Sequence, residues 1–287
     1  MRYLLIPEGE VSNSVKINLY PYARYSLMEC KDIEWSAFLF NAMGEDWAYI
    51  DQVIEVKKDI EEKGLVGAAI LNFLNRWSSR RKGEIKDTID AWYKRNQSKL
   101  DELSFSLIKA DFDDENNAGK IKDIYNSLLS PKGNGIGDTS ASKTLHILKP
   151  DLFVAWDGPI KSWYDSQLDR EDYKTMNAAE KYLAFLKKMQ ADAQYLRQQN
   201  EDLLDDLNAK VRRLYEGNLD RERDIERVNN KSKSVKAPKN PDYKKKDYEV
   251  MVDFMKKPGK TWAKYLDEYN WITITKRVKI TPVWHPD

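Results

Sequence analysis

A glycine-flanked turn, a short helix and a proline-closed loop ending on an aspartate occupy residues 135–157, GIGDTSASKTLHILKPDLFVAWD. No other stretch of the chain fixes so much of its own local path. Pro131-Lys132-Gly133-Asn134-Gly135 is turn chemistry. Gly135 and Gly137 flank Ile136 and are expected to supply backbone angles that a side chain forbids. Thr139, Ser140 and Ala141 open an apolar-periodic run through Leu145 and Leu148. A helix is therefore predicted from about Asp138 to Leu148, with Pro150 beyond its end. Asp157-Gly158-Pro159 reads as an N-cap followed by an early helical proline. A glycine turn that opens a helix leaves amide N–H groups pointing outward, where a phosphate can sit.

The flanking sequence is mainly helical in pattern. Trp35, Phe38, Leu39 and Met43 fall at spacings of three or four, as do Ile50, Val53 and Ile54. Gly64–Trp77 is apolar on most sides, as expected of a buried central helix. Helices are predicted near 84–96 and 117–130, joined by the acidic loop Asp111–Asn117. From Tyr173 to Tyr215 the residues Tyr182, Leu186, Met189, Ala193, Leu196, Leu203, Leu207 and Leu214 keep a three-four spacing that Asn200 interrupts. That pattern predicts a helical hairpin or a short coiled-coil seam, and core packing outweighs dimerisation because few clean heptads occur. Short alternating stretches at Arg2–Pro7, Val15–Tyr20 and Trp271–Trp284 are expected to be extended or stranded. The fold class is thus mainly α with minor β segments at the termini. The chain divides into an extended segment at 1–30, a helical domain at 31–229, a basic linker at 230–246, and a helical or extended segment at 247–287.

Composition narrows the chemistry. A single cysteine, Cys30, excludes an internal disulfide and a cysteine-held iron–sulfur cluster. Two histidines, His146 and His285, make a zinc site of the usual kind unexpected. No metal or cofactor is therefore anticipated. The opening MRYLLIPEGE meets an acidic residue too soon for a secretory leader, and no apolar run approaches the ~20 residues of a membrane span. A cytoplasmic, monomeric protein is the expectation. The net charge of +1 argues weakly against nucleic-acid binding, but charge is uneven. Lys231–Lys246 holds seven lysines against Asp242, while Glu201–Glu226 holds nine acids against five basic residues. A near-neutral total can hide a basic face.

The pattern Gly-hydrophobic-Gly-x-x-Ser/Thr-Ala over 135–141 resembles the hairpin of helix-hairpin-helix DNA-binding proteins. Asp157, twenty residues after Gly137, lies close to where the DNA glycosylases of that superfamily keep their catalytic aspartate. The resemblance covers about 30 residues, Pro131 to Ile160. It implies two helical subdomains around a cleft, with the hairpin at 131–148 gripping double-stranded DNA and the aspartate facing the cleft. A target base would be extruded into that cleft, since its glycosidic bond is out of reach inside the stack.

The resemblance also assigns roles. An ionised Asp157 beside C1′ would stabilise the positive charge that develops on the sugar, and would orient or deprotonate the attacking water. A second reading has Asp157 only capping its helix, and the two are compatible. Bifunctional members such as the 8-oxoguanine glycosylases hold a nucleophilic lysine two residues after the second hairpin glycine. Thr139 stands there and cannot form a Schiff base, which implies a monofunctional enzyme that leaves an abasic site. Lys143, one turn on, is a second catalytic candidate, although a solvated or phosphate-pairing lysine outweighs a displaced nucleophile. Backbone grip falls to Gly135, Gly137, Thr139 and Ser140, supplemented by Lys132. Arg80–Lys82 and the lysines of 231–246 carry less weight, because a charge run is more often a solvated face. His146 is by default a satisfied helix histidine, with a contact to phosphate or the flipped nucleotide as the sharper alternative. Trp156 and Trp163 are candidates to stack on the base.

The functional expectation is excision of a damaged or modified base, with an anti-phage role following if the base is a bulky natural modification. Two rivals stand beside it. One is a non-enzymatic DNA-binding protein that uses the hairpin for backbone grip alone. The other is an interaction protein built on the helices of 174–216.

Overall fold

The computed structural model describes residues 28–43, 45–77, 85–129, 136–167, 171–231, 245–256 and 259–278. The N-terminal strands expected at Arg2–Pro7 and Val15–Tyr20, the turn at Pro131–Gly135, the basic turn Arg80–Lys82 and most of the lysine-rich 230–246 segment lie outside these residues. Among the described residues no strand forms, and only a single parallel bridge joins Leu129 to Ile136.

Helical apolar stripes build nearly everything described. The chain runs through α1 (Cys30–Ala42), α2 (Glu45–Lys63), α3 (Val66–Arg76) and α4 (Ile85–Glu102), then a 3₁₀ turn at Leu107–Lys109. It continues with α5 (Glu115–Leu128), α6 (Asp138–Leu148), α7 (Gly158–Gln167), α8 (Glu171–Thr175), α9 (Ala178–Gln199), α10 (Leu203–Lys231), α11 (Lys245–Lys256) and α12 (Trp262–Asn270). On α3 the buried set Val66, Ala69, Ile70, Phe73 and Leu74 follows the three-four spacing, as its sequence predicts. Gly67 lets α3 and α4 approach closely. A Cβ there would stand 2.3 Å from the Lys86 carbonyl, and the Gly67 N–H instead donates to Asp90 Oδ1 at 2.6 Å. Side-chain caps start α5, α9 and α12. Asp114 accepts from Asn117 N on α5, Asn177 and Glu180 form a capping box on α9, and Thr261 caps α12.

The main core centres on aromatic packing. Tyr125 stacks on Tyr182 at 4.4 Å between centroids, and Trp156 meets Tyr182 and Phe185 at 5.1 Å each. Trp262, Ala263, Tyr265 and Leu266 of α12 belong to this same core, so the C-terminal segment is integral to it. A second apolar cluster joins Tyr49 and Ile50 of α2 to Val211 and Tyr215 of α10 and to Val252 and Met255 of α11.

Two expectations change. The chain does break at Asn200, the C-cap of α9. However, α10 then packs chiefly along α11 while α9 packs on α5, so the two do not form one continuous seam. Leu214 accordingly stays exposed. The alternating Trp271-Ile272-Thr273-Ile274-Thr275 is not extended; it forms a π turn, closed by Lys276 N donating to the Trp271 carbonyl at 2.8 Å. Burial of Ile272, with Ile274 packed against the main core, outweighs the β preference of its neighbours.

Candidate active site

Residues 152–156, Leu-Phe-Val-Ala-Trp, are buried and cross the core outside any helix or strand. Their polar groups must find other partners there. Side chains of α6 and α9 supply them. His146 Nδ1–H donates to the Phe153 carbonyl at 2.6 Å, and Tyr182 OH donates to the Val154 carbonyl at 2.9 Å. Ser142 Oγ accepts from Trp156 N at 3.2 Å and lies 3.0 Å from the Trp156 carbonyl, sharing its one proton between that oxygen and the Thr139 carbonyl. Thr261 Oγ1 holds the loop from the other side by donating to the Pro150 carbonyl at 2.7 Å. The cradle delivers Asp157 to the start of α7.

There the carboxylate is held at both oxygens. Asp157 Oδ1 accepts from Ile160 N at 2.9 Å, the N-cap bond expected from sequence, and Oδ2 accepts from Thr275 Oγ1 at 2.7 Å. The π turn is what brings Thr275 into reach, and it sets Trp271 beside the same space. Lys161 of α7 pairs with Asp138 in the first turn of α6, which fixes the two helices together.

Asp157 lines a recess of about 460 Å³, its open mouth included. Phe40, Tyr49, Phe73 and Trp77 form an aromatic wall from α1–α3, and Trp271 adds to it from the π turn. Lys143 and His146 enter from α6, and Lys264 and Asp267 from α12. Lys143 Nζ donates to the Trp77 carbonyl at 2.8 Å. Burial pushes the Lys143 amine below its ordinary range; Asp267 and Asp157 oppose that shift, and Lys264 adds to it. His146 is fully buried, and burial holds it below the usual imidazole range, so it stays neutral. Its Nδ1 faces a carbonyl and must carry the proton, which leaves Nε2 to accept from Tyr49 OH at 2.9 Å.

The Lys264 ammonium lies 4.0 Å from the Tyr49 ring centroid, 4.3 Å from Phe40 and 5.6 Å from Trp77. It donates to Asp267 Oδ2 at 2.8 Å. Behind it, Lys260 and Glu268 form a fully buried pair with both carboxylate oxygens 3.0 Å from Nζ. Asn208 ties this end of α12 to α10. It donates to the Lys260 carbonyl and accepts from Lys260 N and Tyr265 OH.

Comparison with known protein families, curated proteins and solved structures finds no match.

The site residues expected from sequence divide clearly. Asp157, Lys143, His146 and Trp156 come together around one recess. Lys143 is not the solvated lysine favoured from sequence: its amine is drawn in to the Trp77 carbonyl. Trp163 is not among the recess lining; its ring packs edge-on to Tyr164 at 4.7 Å. Trp156 has core rings, Tyr182 and Phe185, against it. Ser140 is fully buried, which removes its hydroxyl from an external phosphate. Gly137 is exposed, but its φ of −83° is open to any residue, so the special freedom expected of it is not used there. Thr139 is half-buried on the first turn of α6. Gly135 and Lys132 lie outside the described residues. Sequence reasoning missed Lys264, Asp267, Trp271 and Thr275, because nothing local marks residues that reach a site more than 100 positions away. Ser142 and His146 did carry a signal, since residues four apart share one helix face.

Among the described residues no three His, Cys, Asp or Glu side chains are placed to hold a metal, and no helix is long and apolar enough to cross a membrane.

Proposed function

We propose that this protein is a monofunctional DNA glycosylase that hydrolyses the bond between a modified base and its sugar. The observation that carries the reading is Asp157, held at both carboxylate oxygens and lining an aromatic, charged recess. A base flipped out of the duplex would occupy the recess with its C1′ beside Asp157. As the C1′–N bond breaks, its electron pair leaves with the base and positive charge builds on the sugar. Asp157 stabilises that charge without having to reorient, because two donors already fix it. Water then supplies hydroxide to C1′, and its proton ends on the departing base. The product is an abasic site. A bulky natural base modification, such as those that protect phage genomes, is one substrate compatible with this chemistry and would make the role defensive.

Duplexes carrying single modified bases test the reading when strand breaks are scored before and after alkali. Breaks that need alkali are the expected result. Breaks without it would assign lyase chemistry to Lys143, and duplexes left intact in both arms would overturn the proposal.

A further inference from the structure

Resting on that excision reading, we infer that the recess takes an uncharged base with a ring carbonyl and rejects cationic N-alkylated bases, with Lys264 setting the choice. An enclosure of Phe40, Tyr49 and Trp77 would ordinarily favour a cationic guest, because ring faces attract positive charge. Here the protein fills that role with its own cation. The Lys264 ammonium stands over all three rings, within 4.0–5.6 Å of their centroids. Its helix is pinned by the Thr261 cap and by the Asn208 contacts. Lys143 places a second amine on the lining. The carboxylates beside Lys264 are already charge-paired: Asp267 Oδ2 takes Lys264 at 2.8 Å, and Glu268, 3.8 Å from Lys264, pairs with Lys260. A cationic base would meet like charge in a partly dehydrated space with the ring faces already covered.

An uncharged carbonyl base suits the same groups. Lys264 carries three N–H donors and spends one on Asp267. Lys264 takes the Oδ2 oxygen of Asp267, so that Oδ1 is the oxygen left to face a guest, and the buried Trp77 indole N–H has no acceptor among the described residues. A carbonyl with a ring N–H beside it therefore finds a donor and an acceptor together. The reaction gives the ammonium a further purpose. A cationic base leaves as a neutral molecule and needs no help. An uncharged base takes the bond's electron pair as an anion, spread onto its carbonyl oxygen until the proton from water arrives, and an ammonium at that oxygen stabilises the departing charge.

The test compares 8-oxoguanosine with 7-methylguanosine, which share the carbonyl and N–H edge, in buffer acidic enough to keep 7-methylguanosine cationic. Binding is read from quenching of the wild-type protein's tryptophan fluorescence, and excision from duplexes carrying each base. The uncharged nucleoside is expected to bind at least about tenfold more tightly, and Lys264→Met to bring the ratio close to one. The wild-type ratio decides the matter alone if Lys264→Met does not fold. Equal or tighter binding of 7-methylguanosine, or no binding of either nucleoside, overturns the inference. Preferential binding of 8-oxoguanosine with no abasic site in any duplex would sink the excision reading and leave the selectivity standing. Equal excision of both bases would do the reverse.

Discussion

His146 makes the folded protein acid-sensitive. The ring is fully buried, its Nδ1–H is committed to the Phe153 carbonyl, and Nε2 accepts from Tyr49 OH. Protonating Nε2 would force the Tyr49 hydroxyl to turn and accept, and would put a charge where burial already disfavours it. The folded chain therefore takes up its proton at lower pH than the unfolded chain does. Below the ordinary imidazole pKa of about 6.5 the unfolded state binds more protons, so stability falls as pH falls. While only the unfolded ring titrates, the slope is about 1.4 kcal/mol per pH unit, which amounts to about 2 kcal/mol by pH 5. Burial raises the carboxyl pKa values of Asp151 and Asp192. Their sign is opposite, because the folded state then holds the extra proton, and the stability they contribute declines as pH rises. Urea denaturation between pH 5 and 7 on the wild type and on His146→Gln isolates the term. The wild type is expected to lose stability across that interval and the variant to be flatter by about 2 kcal/mol. Parallel curves would refute the assignment of a buried, neutral His146.

Gly259 has a φ of +71°, and a Cβ there would stand 2.9 Å from the Asn208 carboxamide. Gly259→Ala should cost about 3 kcal/mol, part from the left-handed backbone and part from the displaced Asn208 bonds, measured as a lower urea midpoint. Glu268→Gln leaves the buried Lys260 without its counter-charge and should cost about 3 kcal/mol, with partial recovery when Lys260→Met is added. No loss in the single variant would contradict the pairing. Thr275→Val removes one donor from Asp157 and should slow base release about tenfold in kcat with KM little changed, while Thr275→Ser restores the rate. A matching loss in thermal stability with no kcat effect would make Thr275 purely structural.

Much of the scaffold was legible because helical periodicity survives in single segments. The α3 stripe, the α6 span from Asp138 to Leu148 and the break at Asn200 all follow from spacing and cap chemistry. Leu152–Trp156 was not legible as a buried irregular segment. A five-residue apolar run carries no period, and what makes its burial tolerable is Ser142, His146 and Tyr182 on other elements. Trp271–Thr275 reads as a strand from its β-branched residues, and only the burial of Ile272 and the packing of Ile274 on the core turn it into a π turn. Half of the site was equally hidden. Asp157 and Lys143 stand within one motif, but Lys264 and Asp267 look like an ordinary solvated helix pair. Lysine is so rarely buried that its sequence position gives no hint of the aromatic wall around it.

The most direct test of the account is base release by the wild type and by Asp157→Asn on duplexes carrying single uracil, hypoxanthine or 8-oxoguanine residues. Abasic sites are counted after alkali, and DNA affinity is measured in parallel. The wild type is expected to produce abasic sites in at least one duplex, and Asp157→Asn to bind DNA similarly while releasing the base about a thousandfold more slowly. Equal rates for the two proteins, or no release by the wild type from any duplex, would contradict a catalytic Asp157.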